Sequence, residues 1–431
     1  MELLSNPAVI GFFVFFGLLA LNAPVFVALG GATLFTMVVL GAAPLSMMPF
    51  VVSSSLDSFT LLATPLFIIA GNLMTRTGVA AKLVSLTEIL FGRMPGGLAL
   101  TTLVTGCVLG SMSGSNIATV AALSFLIGAM ANSGYPKPFA VAVVAAGCTF
   151  GVVIPPSISF IIYGVITETS IPKLFAAGVV PGLLMLLLLA GYTVTVSILK
   201  GYRPANVQRS WPIFFKALRE AFWGLMAPVI ILGGIYSGVF TATEAAAVAV
   251  VYIIIVDRLV YRQIRWQDMP EVFYQSGKTI GVIGMMIAMS AVFAWVLQTQ
   301  GVAQLLDQML HAVSGGSRVA ILLVMQFIIF ISGMFLEPIA AMYLLVPLFK
   351  PTLMAIDMDL IQFGAAMTVN LSLAHLTPPV GVGLFLAAQM GNVSFAKAAK
   401  WAIPFVLCEV VVVLLTTFIP AIAMTLPNLL K

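Results

Sequence analysis

Two pairs of adjacent prolines, Pro155-Pro156 and Pro378-Pro379, interrupt long apolar runs and lie 223 positions apart (378 minus 155). Proline lacks a backbone N–H, and its ring collides with the preceding helical turn, so each pair predicts an unwound segment. The same offset relates Pro181 to Pro404 and Gly78-Val79-Ala80 to Gly301-Val302-Ala303. Breaks that recur at one offset predict a chain built from two equivalent halves.

The apolar runs place both halves in a membrane. Hydrophobic residues make up 61% of the chain and charged residues 8%, with a mean hydropathy of +1.15. A soluble domain carries about 25% charged residues. Since lipid cannot satisfy free backbone groups, spans of this composition are helical. The predicted fold class is therefore an all-α polytopic membrane protein with two inverted repeats, two re-entrant helical hairpins and two broken helices.

Two pairs of short apolar runs predict the hairpins. Gly97 to Leu109 and Ile117 to Met130 flank Gly-Ser-Met-Ser-Gly-Ser-Asn, and Val319 to Ile331 and Ile339 to Phe349 flank Ser332 to Pro338. Each run is shorter than the roughly 20 residues of a full span. Neutral oxygens at the first tip suit a hard cation such as sodium, namely those of Ser111, Ser113, Ser115 and Asn116. Small residues there could equally serve only close helix packing.

Counting crossings predicts the orientation. We expect five crossings in each half, and an odd number makes the repeats inverted. With both termini outside, all but four of the 19 Lys and Arg residues face the cytoplasm, the exceptions being Lys173, Arg318, Lys350 and Lys431. The positive-inside rule favours this arrangement. It places the first hairpin at the cytoplasmic face and the second at the outer face.

The repeat predicts the division of the chain. Residues 1–200 form the first repeat, with helices at about 7–93 and a hairpin and broken helix at about 96–175. A cytoplasmic connector at 201–220 precedes the second repeat, 221–431. There the corresponding helices cover about 221–313 and 403–425, and the hairpin and broken helix about 316–400. Facing hairpins between broken helices are typical of transporters that bind solute and ions near the midplane, where helix N-termini favour anions and unwound carbonyls favour cations.

The motifs resemble those of a known family over essentially the whole chain. They are the first hairpin tip, Gly151-Val-Val-Ile-Pro-Pro-Ser157, Phe240-Thr-Ala-Thr-Glu-Ala-Ala-Ala247 and Thr377-Pro-Pro-Val-Gly381. They resemble the large membrane subunit of tripartite ATP-independent periplasmic (TRAP) transporters. The resemblance implies elevator-type sodium symport of an organic acid: a dicarboxylate, a sialic or other sugar acid, or a sulfonate. It also implies a periplasmic binding protein and a small four-helix membrane subunit, which we expect to be a separate chain. Co-transported Na⁺ is expected, and no organic cofactor.

The resemblance further implies that the hairpins and broken helices, about 96–175 and 316–400, form a moving transport domain. The helices at about 7–93, 221–313 and 403–425 would form a scaffold. The expected location is the bacterial inner membrane, with both termini in the periplasm.

The resemblance also implies site residues. Sodium site 1 is assigned to Ser111, Ser113, Ser115, Asn116, Gly147 and Pro155, and sodium site 2 to Ser332, Gly333, Glu337, Thr377 and Pro378. The solute is expected near Ser113, Ser115, Pro156, Ser157 and Pro379. The chain departs from many relatives at Thr119, where they carry an acidic residue.

Other polar residues have interpretations of their own. Glu337 faces an ion or water, or else caps the helix beside Pro338. Glu244 follows Thr241 in the pattern of a helix cap. His375 is expected to be a hydrogen-bonded structural histidine. Glu409 lies in the last span as a scaffold or partner contact, and Asp57 is left unassigned.

Two other functions compete with this hypothesis. A standalone sodium/dicarboxylate symporter would share the architecture and need no partner chains. An intramembrane serine hydrolase would use the tip serines, but His311 and His375 are the only two imidazole bases of the chain, and His311 is predicted on an interface helix. No His-Glu-x-x-His or Gly-x-x-x-x-Gly-Lys motif occurs, which argues against zinc chemistry and ATP hydrolysis.

Overall fold

The computed structural model describes residues 6–202 and 210–430, and these are helical with no β-strand among them. The first half contains α1 to α12, and the second α13 to α22. In chain order they are Pro7–Ala20, Val25–Leu34, Met47–Leu56, Ala63–Arg76, Val79–Phe91, Gly97–Ser113, Asn116–Leu123, Phe125–Asn132, Lys137–Cys148, Phe150–Val153, Ile158–Thr167 and Ile171–Lys200, then Trp211–Tyr236, Ala242–Val256, Met269–Thr299, Val302–Ser314, Arg318–Gly333, Pro338–Ala355, Leu360–Ala374, Val382–Met390, Phe395–Phe418 and Pro420–Met424.

The class of polytopic membrane protein is confirmed. Within the described residues six helical stretches are long and apolar enough to cross a bilayer, or seven if α3 and the stretch ending with α4, which meet at 64°, form one span. The six are Lys137–Thr167, Ile171–Lys200, Trp211–Tyr236, Trp266–Thr299, Pro338–Ala355 and Phe395–Phe418. At 1.5 Å per residue, the 14 residues of α1 cover only about 21 Å. The ten crossings expected from the sequence stay a prediction.

The connector between the halves is shorter than predicted. Of the predicted 201–220, residues 203–209 lie outside the described residues, and α13 already begins at Trp211. Ser210 caps this helix, since its Oγ accepts a hydrogen bond from the Ile213 N–H at 3.4 Å, and Pro212 occupies the first turn, where its missing donor costs nothing. Because of these start signals, the helix includes part of the polar segment that the sequence predicts as a connector.

Packing divides most of the helices into two groups, and α15 contacts both. In the first group, which we call the opening helices, α14 packs against α4, and the long α15 packs against α2, α3 and α4. Helix α15 also packs closely against α18. The second contains hairpin 1 (97–132), hairpin 2 (318–355), the two broken helices, α12 and α21. The last long helix, α21, packs mainly against α9, α12, α19 and α20. Its packing therefore argues against the predicted placement of 403–425 with the opening helices.

Glycines bring hairpin 1 close to the first broken helix. A Cβ built on Gly106 would collide with the carbonyl oxygen of Gly147, and a Cβ on Gly110 would lie 2.7 Å from the backbone nitrogen of Gly151. Both pairs keep a spacing of four residues, so one face of α6 meets α9 and α10 backbone to backbone. Small residues at this spacing are the usual device for close helix approach in membranes.

Replacing Gly106 by alanine is expected to lower the melting temperature of the purified protein. The added methyl group meets backbone rather than a mobile side chain, and overpacking of this kind costs about 1–3 kcal/mol. Gly128→Ala is the matched control in the same hairpin, because a Cβ there has nothing within 4 Å. Equal melting temperatures for the two variants would contradict the close contact.

Candidate functional site

The tip of hairpin 1 consists of only Gly114 and Ser115. The first arm stays helical through Ser113, four residues beyond the predicted Leu109, and Ser111 lies inside it with its hydroxyl donating to the Val108 carbonyl at 2.7 Å. Gly114 turns the chain with a φ of +58°, a value that glycine adopts without steric cost. Ser115 then caps α7 by accepting from the Ala118 N–H at 3.3 Å.

The serine and threonine hydroxyls of this tip form a local network. The Ser113 and Thr119 hydroxyl oxygens are 3.1 Å apart, and Thr119 donates to the Ser115 carbonyl at 2.9 Å. Thr119, one turn into α7, thus faces the tip. Both side chains are buried, which leaves a compact group of neutral oxygens.

Asn116, the first residue of α7 beside the tip, has an unusual environment. Its side chain is 4% exposed, and neither Oδ1 nor Nδ2 has a hydrogen-bond partner in the described part of the chain. The backbone of the first broken helix comes close, because a Cβ on Gly151 would lie 3.1 Å from this Oδ1. Burying a polar group without a partner costs about 1–3 kcal/mol. Such an amide needs an external partner, and its oxygen could coordinate a cation.

The first break is confirmed at the first proline pair. Helix α10 ends at Val153 and α11 begins at Ile158; the peptide bond between Pro155 and Pro156 is cis. Ser157 is fully buried, and its hydroxyl donates to the Val152 carbonyl. Its hydroxyl therefore bonds back to the broken helix itself, and its predicted place near the solute stays a prediction.

The second hairpin and second break meet in an equivalent way. Gly333 lets α17 approach α19, because a Cβ there would lie 2.7 Å from the Ala374 Cβ. The Ser332 hydroxyl donates to the Ile329 carbonyl at 2.8 Å, and the Thr377 hydroxyl donates to the Leu373 carbonyl at 2.9 Å. Residues 375–381 separate α19 from α20. This second break is longer than the first, and Pro378-Pro379 is again cis.

A cavity of about 820 Å³ joins the two hairpin tips to the opening helices. The hairpin side contributes Ser113, Gly114, Ser115, Asn116, Ser159, Glu337, Pro338 and His375, and the opening helices contribute Asn72, Thr75, Arg76, Gln275, Lys278 and Thr279. Of the predicted solute contacts, Ser113 and Ser115 border this space, whereas Pro156, Ser157 and Pro379 do not. Ser159 borders this space, whereas the sequence places Ser157, two residues earlier in the chain, near the solute.

Sequence reasoning missed the wall formed by the opening helices. Arg76 and Lys278 are the two cationic side chains among the residues that line the cavity, yet in the sequence they served only to predict orientation. Asn72 joins the two helices that carry them, since its Nδ2 donates to the Ser276 hydroxyl at 2.9 Å. No motif marks these positions; the fold alone brings α4 and α15 together.

Three polar residues can be compared with their interpretations. Glu244 is confirmed as a cap, because its carboxylate accepts from the Thr241 N–H at 2.8 Å and the two residues form a capping box. Glu337 precedes α18 but makes no capping hydrogen bond and borders the cavity. His375 borders the cavity, and its Nδ1 is buried without a hydrogen-bond partner among the described residues. Its interpretation as a hydrogen-bonded structural histidine therefore stays a prediction.

Two solved structures share this fold. The YdaH transporter of Alcanivorax borkumensis aligns with a TM-score of 0.62 and 16% identity over 98% of this chain and 99% of its own. MtrF of Neisseria gonorrhoeae, from a class of antimetabolite efflux pumps, aligns with a TM-score of 0.58 and 13% identity over 87% and 84%. At these identities the comparison shows the fold alone, which is that of a polytopic helical membrane protein.

The family is shown by the sequence comparisons. The model described as "Tripartite ATP-independent periplasmic transporter, DctM component" matches residues 12–422. The C4-dicarboxylate TRAP transporter large permease DctM of Pseudomonas aeruginosa is 40% identical over 86% of this chain and 87% of its own length. The isethionate TRAP transporter permease DctMQ of Oleidesulfovibrio alaskensis is 37% identical over 97% of this chain, which spans 66% of that relative. The chain belongs to the DctM family of TRAP transporter large permeases and is not an enzyme.

Proposed function

We propose that this permease couples the entry of sodium ions to the uptake of an organic acid anion. A periplasmic binding protein delivers the solute, and a separate small four-helix subunit completes the membrane part. Support for the anion comes from the cavity, where Arg76 and Lys278 attract negative charge on one wall. Similar TRAP permeases are named for C4-dicarboxylates, isethionate and sialic acid.

Asn116 carries the proposal for sodium. Its buried and unpartnered amide oxygen lies beside the hydroxyls of Ser113 and Ser115, and neutral oxygens of this kind are ligands for hard cations. Site 1 then comprises Ser111, Ser113, Ser115, Asn116, Gly147 and Pro155. The carbonyl group of Gly147 packs against Gly106 of hairpin 1, and this contact brings the first broken helix close to the hairpin.

Glu337 supports a second ion site. It borders the cavity with no ion pair to any described residue, and an intramembrane carboxylate is expensive unless an ion, a donor or water faces it. We assign site 2 to Ser332, Gly333, Glu337, Thr377 and Pro378.

The two packing groups support an elevator mechanism in the bacterial inner membrane. The second group, which includes α21, is the moving body, and the opening helices are the scaffold. With both termini in the periplasm, the cavity lies between hairpin 1 and the cytoplasmic ends of α4 and α15. This arrangement corresponds to an inward-facing state.

Replacing external sodium by potassium is expected to stop solute accumulation. The chain would be reconstituted in liposomes with its small subunit and binding protein, and labelled succinate, isethionate, sialic acid and ectoine would be offered in turn. One of them should accumulate only with an inward sodium gradient, because ion entry supplies the driving force. Equal uptake in potassium would contradict both sodium sites. Uptake without the binding protein would instead favour a standalone symporter.

A further inference from the structure

Glu409 is a buried acid outside both proposed sodium sites. It lies in the middle of α21 and is 0% exposed. Its Oε1 is 2.7 Å from the hydroxyl oxygen of Thr149, the residue between α9 and α10. Its Oε2 is buried and has no partner in the described ranges.

Within residues 6–202 and 210–430, no cationic side chain forms an ion pair with Glu409. The titratable groups that interact with it electrostatically are two thiols, Cys148 of α9 and its chain neighbour Cys408. From α19 the nearby polar group is the hydroxyl of Ser372, which donates to the Thr149 carbonyl. An ionised carboxylate at such a depth would be strongly disfavoured.

The two short contacts of the Thr149 hydroxyl bear on where the protons lie. Its hydroxyl oxygen is 2.7 Å from the Ala146 carbonyl and 2.7 Å from Glu409 Oε1. A hydroxyl has a single proton to donate, whereas a carbonyl can only accept. If Thr149 donates to Ala146, the bond to Glu409 requires the proton of a carboxylic acid. Both short contacts are then satisfied at once, which an ionised Glu409 does not allow.

Glu409 has no acidic counterpart at the repeat offset. Thr149 and Ser372 are 223 residues apart, the offset that relates the two proline pairs, so the two broken helices touch at equivalent residues. The counterpart of Glu409 at this offset is Leu186 (409 minus 223). The acid therefore occurs on one side only of an otherwise symmetric contact.

We propose that Glu409 is a proton-binding site, and that it holds its proton throughout the transport cycle as a neutral carboxylic acid donating to Thr149. The proton completes a chain from Glu409 through Thr149 to the Ala146 carbonyl, and this chain joins α21 to the first broken helix. The site binds a proton rather than a sodium ion. Glu409 itself belongs to neither proposed sodium site.

Infrared spectroscopy of the full chain in lipid nanodiscs tests the proposal directly. The spectrum of wild type minus Glu409→Gln should contain the C=O stretch of a protonated carboxyl group, which shifts in D₂O. Thr149→Val should retain that band at a higher frequency, because the hydrogen bond is lost while the acid remains. Glu244→Gln, at an exposed cap, is the control and should leave the band unchanged. A difference spectrum with only ionised-carboxylate bands would overturn the proposal.

A transport assay distinguishes a proton that Glu409 holds throughout the cycle from a proton that it exchanges. Glutamine keeps the size and a donor, so Glu409→Gln should retain sodium-driven uptake within about twofold of wild type. A folded Glu409→Gln protein without uptake would show that ionisation or proton release is required, and would refute a permanently held proton. Because the infrared measurement needs no solute, its outcome is independent of the proposed function.

Discussion

Asn116→Leu is expected to abolish sodium binding at the tip of hairpin 1 while leaving the fold intact. Leucine has nearly the size of asparagine and removes an amide that is buried without partners. Without sodium, the variant should therefore be as stable as wild type or more stable by about 1 kcal/mol. Wild type should be stabilised by sodium by about 2.7 kcal/mol at a concentration 100 times its Kd, and the variant should lose most of this gain.

The measurement is thermal unfolding in a sodium titration at constant ionic strength with potassium. Thr101→Val is the matched control, because the Thr101 hydroxyl of the same hairpin is also buried without a partner but does not border the cavity. It should retain the sodium-dependent shift. If Asn116→Leu lowered stability without sodium and kept the shift, Asn116 would be a structural residue and the first sodium site would be misplaced.

Gly71→Ala is expected to reduce sodium-driven uptake by about tenfold or more, the equivalent of roughly 1.4 kcal/mol of lost contact energy. Gly71 of α4 lies directly against the tip of hairpin 1, and a Cβ there would lie 2.6 Å from the Ser113 carbonyl oxygen and 3.1 Å from its Cα. The scaffold and the proposed moving body thus touch through backbone at this point. A methyl group must displace the tip that carries the ion ligands.

Thermal stability separates this effect from misfolding. Alanine favours a helix over glycine by about 1 kcal/mol, so the variant should still fold with a melting temperature near that of wild type. Gly233→Ala in α13 is the control, because a Cβ there has nothing within 4 Å, and its uptake should be unchanged. Normal uptake by Gly71→Ala would show that the tip does not need this contact.

The breaks and hairpin tips could be predicted from the sequence because their causes are local. Each proline pair removes backbone donors wherever the chain goes, and the structure is non-helical at residues 154–157 and 375–381. The cap at Glu244 followed in the same way from its spacing to Thr241. Ser111 shows the limit of such reasoning, since a serine interpreted as part of the tip stays helical by bonding back to Val108.

The remaining features depend on which helices meet, and no local pattern encodes that. Arg76 and Lys278 share a cavity wall because α4 packs against α15. Ser159, rather than Ser157, borders the cavity because the earlier serine bonds to the Val152 carbonyl. Glu409 could not be assigned because its partner, Thr149, is 260 residues away in the chain.

The cavity has its cationic residues on one wall and its proposed ion ligands on the other. In the proposed elevator cycle these walls would move past each other, so the distance from Arg76 and Lys278 to a bound anion would change during each cycle. Coulomb attraction falls with distance and with screening by water. The electrostatic attraction of the solute should therefore be stronger on one side of the membrane than on the other. The permease should then bind the solute with unequal affinities at its two faces.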